Sequence, residues 1–202
     1  MSDDDAPREP RTEDERRALR TALWLNVGLA ASLFAAGLLA DSSGLIANAL
    51  DNASDAVVYA ISLYAVTRGA RWKTRAATLS GVMLLVLAAS VLADVARRFV
   101  AGAEPVGGII IGMTVAAVIV NVASLRVLRS TRGADVNLRA AWTFSINDLV
   151  SNLGVLVAGI LVMWRGSAWP DLVVGLLIAL VAAKGGIEIL ADARRTRRAA
   201  AP

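Results

Sequence analysis

The chain has 202 residues, of which 56% are hydrophobic, and its mean hydropathy is +0.59. A soluble domain of this size is rarely so apolar, so the composition indicates a membrane protein. The absence of Cys excludes disulfides and thiolate ligands, and the absence of His removes the commonest zinc ligand. The net charge of +4 does not point to nucleic acid, because the Arg residues lie between apolar blocks, where membrane topology explains them.

Residues 1–20 are polar, carry both signs of charge and include Pro7 and Pro10. Such a segment buries too little apolar surface to fold, so we predict a mostly disordered cytoplasmic tail, with residues 13–20 as a candidate helical stretch. It is too acidic for a signal peptide and lacks the short apolar core that precedes a cleavage site.

Six apolar blocks follow, and each is long enough to cross a ~30 Å hydrocarbon core, which takes about 20 helical residues. Strands of a membrane barrel are about half as long and alternate in polarity, so helices are favoured. We predict an all-α membrane protein with a six-helix transmembrane domain at 21–194 and a basic cytoplasmic tail at 195–202, too short for a further domain. The blocks lie at 22–40, 42–67, 76–93, 106–125, 140–164 and 172–190.

The positive charges are distributed unevenly between the two ends of these blocks. With six spans, only Arg97, Arg98 and Arg165 fall on one side of the membrane. Cytoplasmic segments carry the excess of Lys and Arg, so we predict a multi-pass protein of the plasma (inner) membrane with both termini in the cytoplasm. The Arg-rich segments of the other side lie near residues 11–20, 68–75, 126–139 and 194–198.

Two spans contain polar stripes that are costly in a membrane, since an Asp at the centre of a span costs about 2.5–3.5 kcal/mol. The residues of each stripe are three or four apart, which places them on one face of a helix. The second span carries Asn48, Asp51, Asn52 and Asp55, and the fifth carries Asp148, Ser151 and Asn152, with Asn147 beside them.

The two stripes are predicted to meet at one depth. With a rise of ~1.5 Å per residue in a ~30 Å core, Asp51, Asp55 and Asp148 lie roughly 16, 10 and 12 Å above the inner boundary. Carboxylate and amide oxygens at one level suit a hard divalent cation. No Lys or Arg lies within either polar stripe, so a metal ion or protons must neutralise the carboxylates. A purely structural role for the three Asp residues is the alternative.

Other polar residues of the spans are expected to be structural. Asn26, Asn121 and Ser80 are predicted to form interhelical hydrogen bonds, worth roughly 0.6 kcal/mol each. The carboxylates at the ends of spans are expected to be interfacial or to cap helices, and these are Asp41, Asp94 and Asp171.

This layout resembles the transmembrane domain of the cation diffusion facilitator family, over roughly residues 23–193. In that family the second and fifth of six helices each give a pair of metal ligands four residues apart. Asp51-x-x-x-Asp55, within SSGLIANALDNASDAVVYAISLYAV, resembles the second-span pair. Asp148, within NDLVSNLGVLVAGIL, resembles the second ligand of the fifth-span pair, and WPDLVVGLLIAL resembles the sixth span.

One position departs from the family pattern, because Phe144 stands four residues before Asp148, where members usually have His or Asp. Phe cannot bind a metal, so amides or water must complete the ligand set. Oxygen ligands favour manganese, iron(II) or magnesium, and ligand type leaves cobalt, nickel and zinc open. The candidate ligands are Asp51, Asp55, Asp148, Asn152, Asn147 and Asn48.

The resemblance implies proton-coupled efflux of a divalent cation from the cytoplasm by alternating access. Incoming metal would displace protons from Asp51, Asp55 and Asp148, since closely spaced carboxylates at low dielectric hold protons more readily. We expect a homodimer in the lipid bilayer, with its contacts in the membrane region. The metal is the transported substrate, and no permanently bound cofactor is expected.

Two other functions stay open beside transport. Phe144 leaves room for a non-transporting membrane scaffold of the same fold. A metal-dependent intramembrane lipid phosphotransferase is disfavoured, because the Asp-Gly-x-x-Ala-Arg stretch common in such enzymes is absent and no basic residue lies near the Asp cluster to bind phosphate. We therefore predict a transporter and not an enzyme.

Overall fold

The computed structural model describes residues 13–64, 70–130 and 136–199, with the side chains of 136–147 among those left out. Every regular element within these ranges is a helix, which confirms the all-α fold. The six helices are α1 (Glu13–Leu39), α2 (Ser43–Tyr64), α3 (Ala70–Ala101), α4 (Gly107–Ser130), α5 (Val136–Arg165) and α6 (Trp169–Ala199).

Five of these helices, all but α2, are long and apolar enough to cross a membrane. Helix α2 has 22 residues, but its stripe of Asn and Asp lowers its hydropathy. It is also the most enclosed helix, with residues 42–50 all buried. Because other helices surround α2, its polar side chains face protein and not lipid, which is where membrane proteins tolerate them.

The first and last helices of the chain, α1 and α6, extend beyond the predicted apolar blocks. Helix α1 begins at Glu13 and α6 ends at Ala199, so the predicted domain borders at residues 20 and 194 fall within helices. Most of the predicted N-terminal tail, residues 1–12, lies outside the described residues. Which face of the membrane each end occupies stays a prediction.

Two groups of helices make up the fold. Helices α1, α2, α4 and α5 form a four-helix bundle, and α3 and α6 pack together beside α2. Small residues allow the close contacts: a Cβ on Gly107 of α4 would lie 2.8 Å from the carbonyl oxygen of Gly159 of α5. Gly81 of α3 and Gly186 of α6 meet in the same way, with a Cβ on either 3.2 Å from the other's carbonyl oxygen.

The core of the bundle is apolar at the end where α1 turns into α2, which we call the turn end. All four bundle helices contribute to this cluster: Leu29, Leu33, Ala36, Ala40, Leu45, Ala49, Ile110, Ala117 and Val155. A second apolar cluster lies toward the opposite end, between α1 and α2, and includes Leu19, Leu23, Ala56 and Tyr59. The two clusters leave a layer of the bundle between them.

Asp171 of α6 caps the first turn of α2. Its carboxylate accepts hydrogen bonds from the backbone N–H groups of Ser43 (2.7 Å) and Gly44 (3.2 Å) and from Ser42 Oγ (2.6 Å). Ser42 Oγ also accepts from the N–H of Leu45 at 3.1 Å, the usual pattern of an N-cap. Of the two roles expected for Asp171, interfacial or capping, the structure shows capping, and the capped helix is α2 and not the helix that carries Asp171.

Arg98 of α3 bonds to Asp41 and Asp94, the other two carboxylates predicted at the ends of spans, and links them at the turn end. Its side chain is 3% exposed, and its guanidinium donates to Asp94 at 2.6 Å and to Asp41. Asp94 also accepts from Ser43 Oγ at 3.1 Å. These bonds tie the start of α2 to α3, to α6 and to the turn after α1, so the position of α2 along the bundle is fixed at this end.

Candidate cation site

The polar stripes of α2 and α5 face each other across the bundle. Asn48 Nδ2 donates to Asn152 Oδ1 at 2.7 Å, and Ser151 Oγ donates to Asp51 Oδ2 at 3.1 Å. Both contacts join residues that are 100 or more apart in the chain. The structure therefore brings the two stripes to one level.

Backbone carbonyls fix which way two amides of the stripes point. Asn52 Nδ2 donates to the carbonyl of Asn48 at 2.9 Å, and Asn152 Nδ2 donates to that of Asp148 at 2.8 Å. A carbonyl can only accept, so the amide oxygens of Asn52 and Asn152 point away from these bonds. Asn152 Oδ1 is then occupied by Asn48 Nδ2, whereas Asn52 Oδ1 has no partner within the described residues.

The three carboxylates share the layer where the two stripes meet. Asp51 and Asp55 lie on α2, and Asp148 lies on α5 three residues before Ser151, which donates to Asp51. Asp55 and Asp148 are buried, Asp51 is half-buried, and Asp55 Oδ2 has no hydrogen-bond partner in the described part of the chain. In that part, no three acidic side chains are grouped closely enough to hold one ion by themselves. A cation bound here needs further oxygen ligands.

The layer that contains these carboxylates extends onto α1 and α4. Asn26 of α1 is 2% exposed and donates from Nδ2 to the carbonyl of Ala22 at 2.9 Å, which leaves Oδ1 without a partner among the described residues. The prediction of an interhelical hydrogen bond for Asn26 is therefore wrong, because the amide bonds within its own helix. On α4, Asn121 Nδ2 and Ser124 Oγ are buried and also without a partner there.

Sequence reasoning missed Asn26 and Asn52 as candidate site residues, although a signal was present. Asn26 lies three residues before Leu29 and seven before Leu33, so it continues the core-facing stripe of α1. Asn52 was recognised as part of the α2 stripe but not as a ligand. The side chains of Phe144 and Asn147 lie outside the described residues, so the structure does not place these two predicted site positions.

The fold and the site define a helical membrane protein with carboxylates buried where two helices meet, and the comparison with known families identifies the family. Residues 19–196 match the cation efflux transmembrane domain. The chain belongs to the cation efflux family. This confirms the resemblance inferred from the Asp51–Asp55 and Asp148 motifs.

Several curated relatives are similar to this chain. The zinc transporter ZitB of Escherichia coli is 23% identical over 193 residues, covering 89% of this chain and 62% of ZitB. The metal cation efflux system protein CzcD of Cupriavidus metallidurans is 25% identical over 176 residues, covering 81% of this chain and 56% of CzcD. A cadmium, cobalt and zinc/H(+)-K(+) antiporter of Bacillus subtilis is 22% identical over 172 residues, covering 77% of this chain and 55% of the antiporter.

The chain therefore spans between 55% and 62% of the length of these relatives. The matched family is one of transporters, and the three relatives are named for transport, efflux or antiport. Neither the family nor these relatives support the alternative of a lipid phosphotransferase.

Proposed function

We propose that this chain transports a divalent metal cation out of the cytoplasm, and that the carboxylates of Asp51, Asp55 and Asp148 bind the ion. The observation that carries the proposal is the contact between the polar stripes of α2 and α5, buried within a membrane bundle. Membrane charges facing a bundle interior typically mark an ion pathway. Family membership supports the same function.

Alternating access is the mechanism that we propose, because the two sides of the site differ. The turn end is filled by the apolar cluster of all four bundle helices and tied by Arg98 and Asp171. On the side away from the turn end the apolar cluster is smaller and lies between α1 and α2 only, while on α4 Asn121 Nδ2 and Ser124 Oγ are buried with no partner among the described residues. A cation at the carboxylates therefore meets packed apolar side chains on the turn-end side, and the helices must move before it leaves there.

Zinc, cobalt and cadmium are the first metals to test, because two of the relatives above are named for zinc or for all three metals. Manganese belongs in the panel as well, since the described site residues offer only oxygen ligands. We further propose proton exchange as the coupling reaction, a homodimer in the membrane, and a plasma (inner) membrane location with cytoplasmic termini, on the basis of the family and the distribution of Arg.

Uptake into proteoliposomes tests the proposal. Wild-type protein should carry at least one metal of the panel into the vesicles when a proton gradient drives protons the opposite way. Asp51→Ala and Asp148→Ala should each lower the initial rate of metal uptake about 10-fold or more. Glu188→Gln is the control, because Glu188 is 64% exposed on α6 and pairs only loosely with Lys184, at 3.8 Å. If the wild type moves no metal under any gradient, the scaffold function is the better interpretation.

A further inference from the structure

Three buried oxygens in the polar layer accept no hydrogen bond within the described residues: Asn26 Oδ1, Asn52 Oδ1 and Asp55 Oδ2. These side chains are 2%, 0% and 7% exposed. Buried acceptors in native proteins are nearly always paired with a donor, an ordered water or an ion, because an unpaired one keeps its full desolvation cost. Rotating the amide groups of Asn26 and Asn52 would not give the oxygens a donor, because it would turn each oxygen toward the backbone carbonyl that now accepts from the amide nitrogen.

The three oxygens lie at one level of neighbouring helices. Helices α1 and α2 are joined by a short turn and pack as antiparallel neighbours. Leu23 shares an apolar cluster with Ala56, and Leu29 shares the other one with Ala49. Asn26 lies midway between the two α1 residues, so it faces the turn of α2 that runs from Asn52 to Asp55.

The remaining amides of the site whose side chains the structure describes are already engaged. Asn48 Nδ2 and Asn152 Oδ1 bond to each other at 2.7 Å, which joins α2 to α5. A ligand role for Asn152 Oδ1 would require that bond to break. The acidic side chains by themselves do not make a cluster that holds one ion in the described part of the chain. Neutral oxygens must therefore contribute, and those of Asn26 and Asn52 are unoccupied by donors.

We propose that Asn26 Oδ1 and Asn52 Oδ1 are ligands of the transported cation beside Asp55, so that α1 takes part in the site together with α2 and α5. The inference rests on the proposed function, because it names which amides complete the carboxylate site. It assigns to Asn48 and Asn152 the separate role of joining the two helices. A site of this kind is rich in neutral oxygens, which suits a divalent cation that keeps part of its water shell.

Binding of Co²⁺ to the purified, detergent-solubilised full chain tests the proposal, with the visible spectrum of bound Co²⁺ reporting its ligands. Asn26→Ala and Asn52→Ala should each raise the Kd for Co²⁺ about 10-fold or more and alter the spectrum. Thr114→Val is the control, since Thr114 of α4 is as buried as Asn52 and bonds within its own helix to the carbonyl of Ile110 at 2.7 Å, at the level of the turn-end apolar cluster. It should bind Co²⁺ with the wild-type Kd and spectrum.

Asn52→Asp covers the case in which an alanine variant fails to fold, because it keeps an oxygen at the same place and should retain the Co²⁺ spectrum. The proposal is overturned if Asn26→Ala and Asn52→Ala bind Co²⁺ as Thr114→Val does while Asp55→Ala does not bind. In that case the proposed transport function still stands. If the wild type binds none of Co²⁺, Zn²⁺ and Mn²⁺, the proposed function fails and the inference fails with it.

Discussion

At the scale of single residues, one residue type has several roles in this protein. Asn48 and Asn152 join two helices, whereas Asn26 and Asn52 bond to their own helices and keep a buried oxygen without a partner among the described residues. The difference follows from whether a donor on another helix reaches the amide oxygen. Asn26, Asn52 and Asn152 all donate from Nδ2 to a carbonyl of their own helix, but only Asn152 Oδ1 accepts from another helix, from Asn48 Nδ2.

The Asn48–Asn152 hydrogen bond should stabilise the pairing of α2 with α5. Asn48→Ala or Asn152→Ala leaves the other amide buried with an unpaired atom, so each should lower the free energy of unfolding by about 1 kcal/mol. The double variant should lose less than the two losses added together, since one hydrogen bond is removed only once. Reversible denaturation in detergent measures all three.

Ser90→Ala is the control for that cycle, because Ser90 Oγ is exposed and bonds within α3 to the carbonyl of Val86. Its unfolding free energy should match that of the wild type. Fully additive losses for Asn48→Ala and Asn152→Ala would show that the two side chains do not interact.

At the scale of secondary structure, α2 depends on its neighbours more than any other helix. Its polar stripe makes it the least suited of the six to lipid, yet it packs against α1, α3, α5 and α6. Its first turn is held by carboxylates from α3 and α6, and by Ser42 at its own N-cap. The helix that carries most of the site is thus the one whose position other helices determine.

Asp171→Ala should destabilise the protein through the first turn of α2. The change removes the acceptor for two backbone N–H groups and for Ser42 Oγ, so we expect a loss of about 1–3 kcal/mol in the free energy of unfolding. Thermal unfolding in detergent measures the change. Asp192→Ala, on the same helix, should alter stability by less than about 0.5 kcal/mol, because its 3.9 Å pair with Arg195 is exposed. Equal melting temperatures for the two variants would contradict the capping role.

At the scale of the whole molecule, the bundle is divided into layers of different chemistry. An apolar cluster fills the turn end, polar side chains from all four bundle helices follow, and a smaller apolar cluster lies beyond them between α1 and α2. An ion held in the polar layer is kept from lipid by the surrounding helices. Helices α3 and α6 stand beside this bundle and contact it chiefly through α2.

Proton release on metal binding is expected if the carboxylates hold protons before the ion arrives. Adding Co²⁺ to wild-type protein in weak buffer should acidify the solution, because a cation between the three carboxylates displaces their protons. Asp148→Asn should release fewer protons for each Co²⁺ bound. Glu188→Gln, far along α6 and exposed, should release as many as the wild type. Co²⁺ binding to the wild type without acidification at any pH at which the protein stays folded would exclude proton coupling at this site.

Much of this architecture could be predicted from the chain itself. Apolar block lengths gave six helices, and helical spacing gave the two stripes on α2 and α5, since both depend only on local periodicity. The capping role of Asp171 was anticipated from its place at a span end. The start of α1 at Glu13 matches the helical stretch predicted at 13–20, whereas the continuation of α6 to Ala199, past its apolar block, was not predicted, because the polar residues there are equally helical.

The sequence by itself determined the all-α membrane fold, the family and the carboxylates at one depth, because these follow from apolar length, spacing and motif. Only the tertiary structure decided which amides are engaged and which oxygens lack a donor among the described residues. The amide nitrogens of Asn26, Asn52 and Asn152 all bond to a carbonyl of their own helix, and only the oxygen of Asn152 lies within reach of a donor from another helix, Asn48 Nδ2. Contacts of this kind depend on how helices far apart in the chain pack together, so they cannot be predicted from the local periodicity of the sequence.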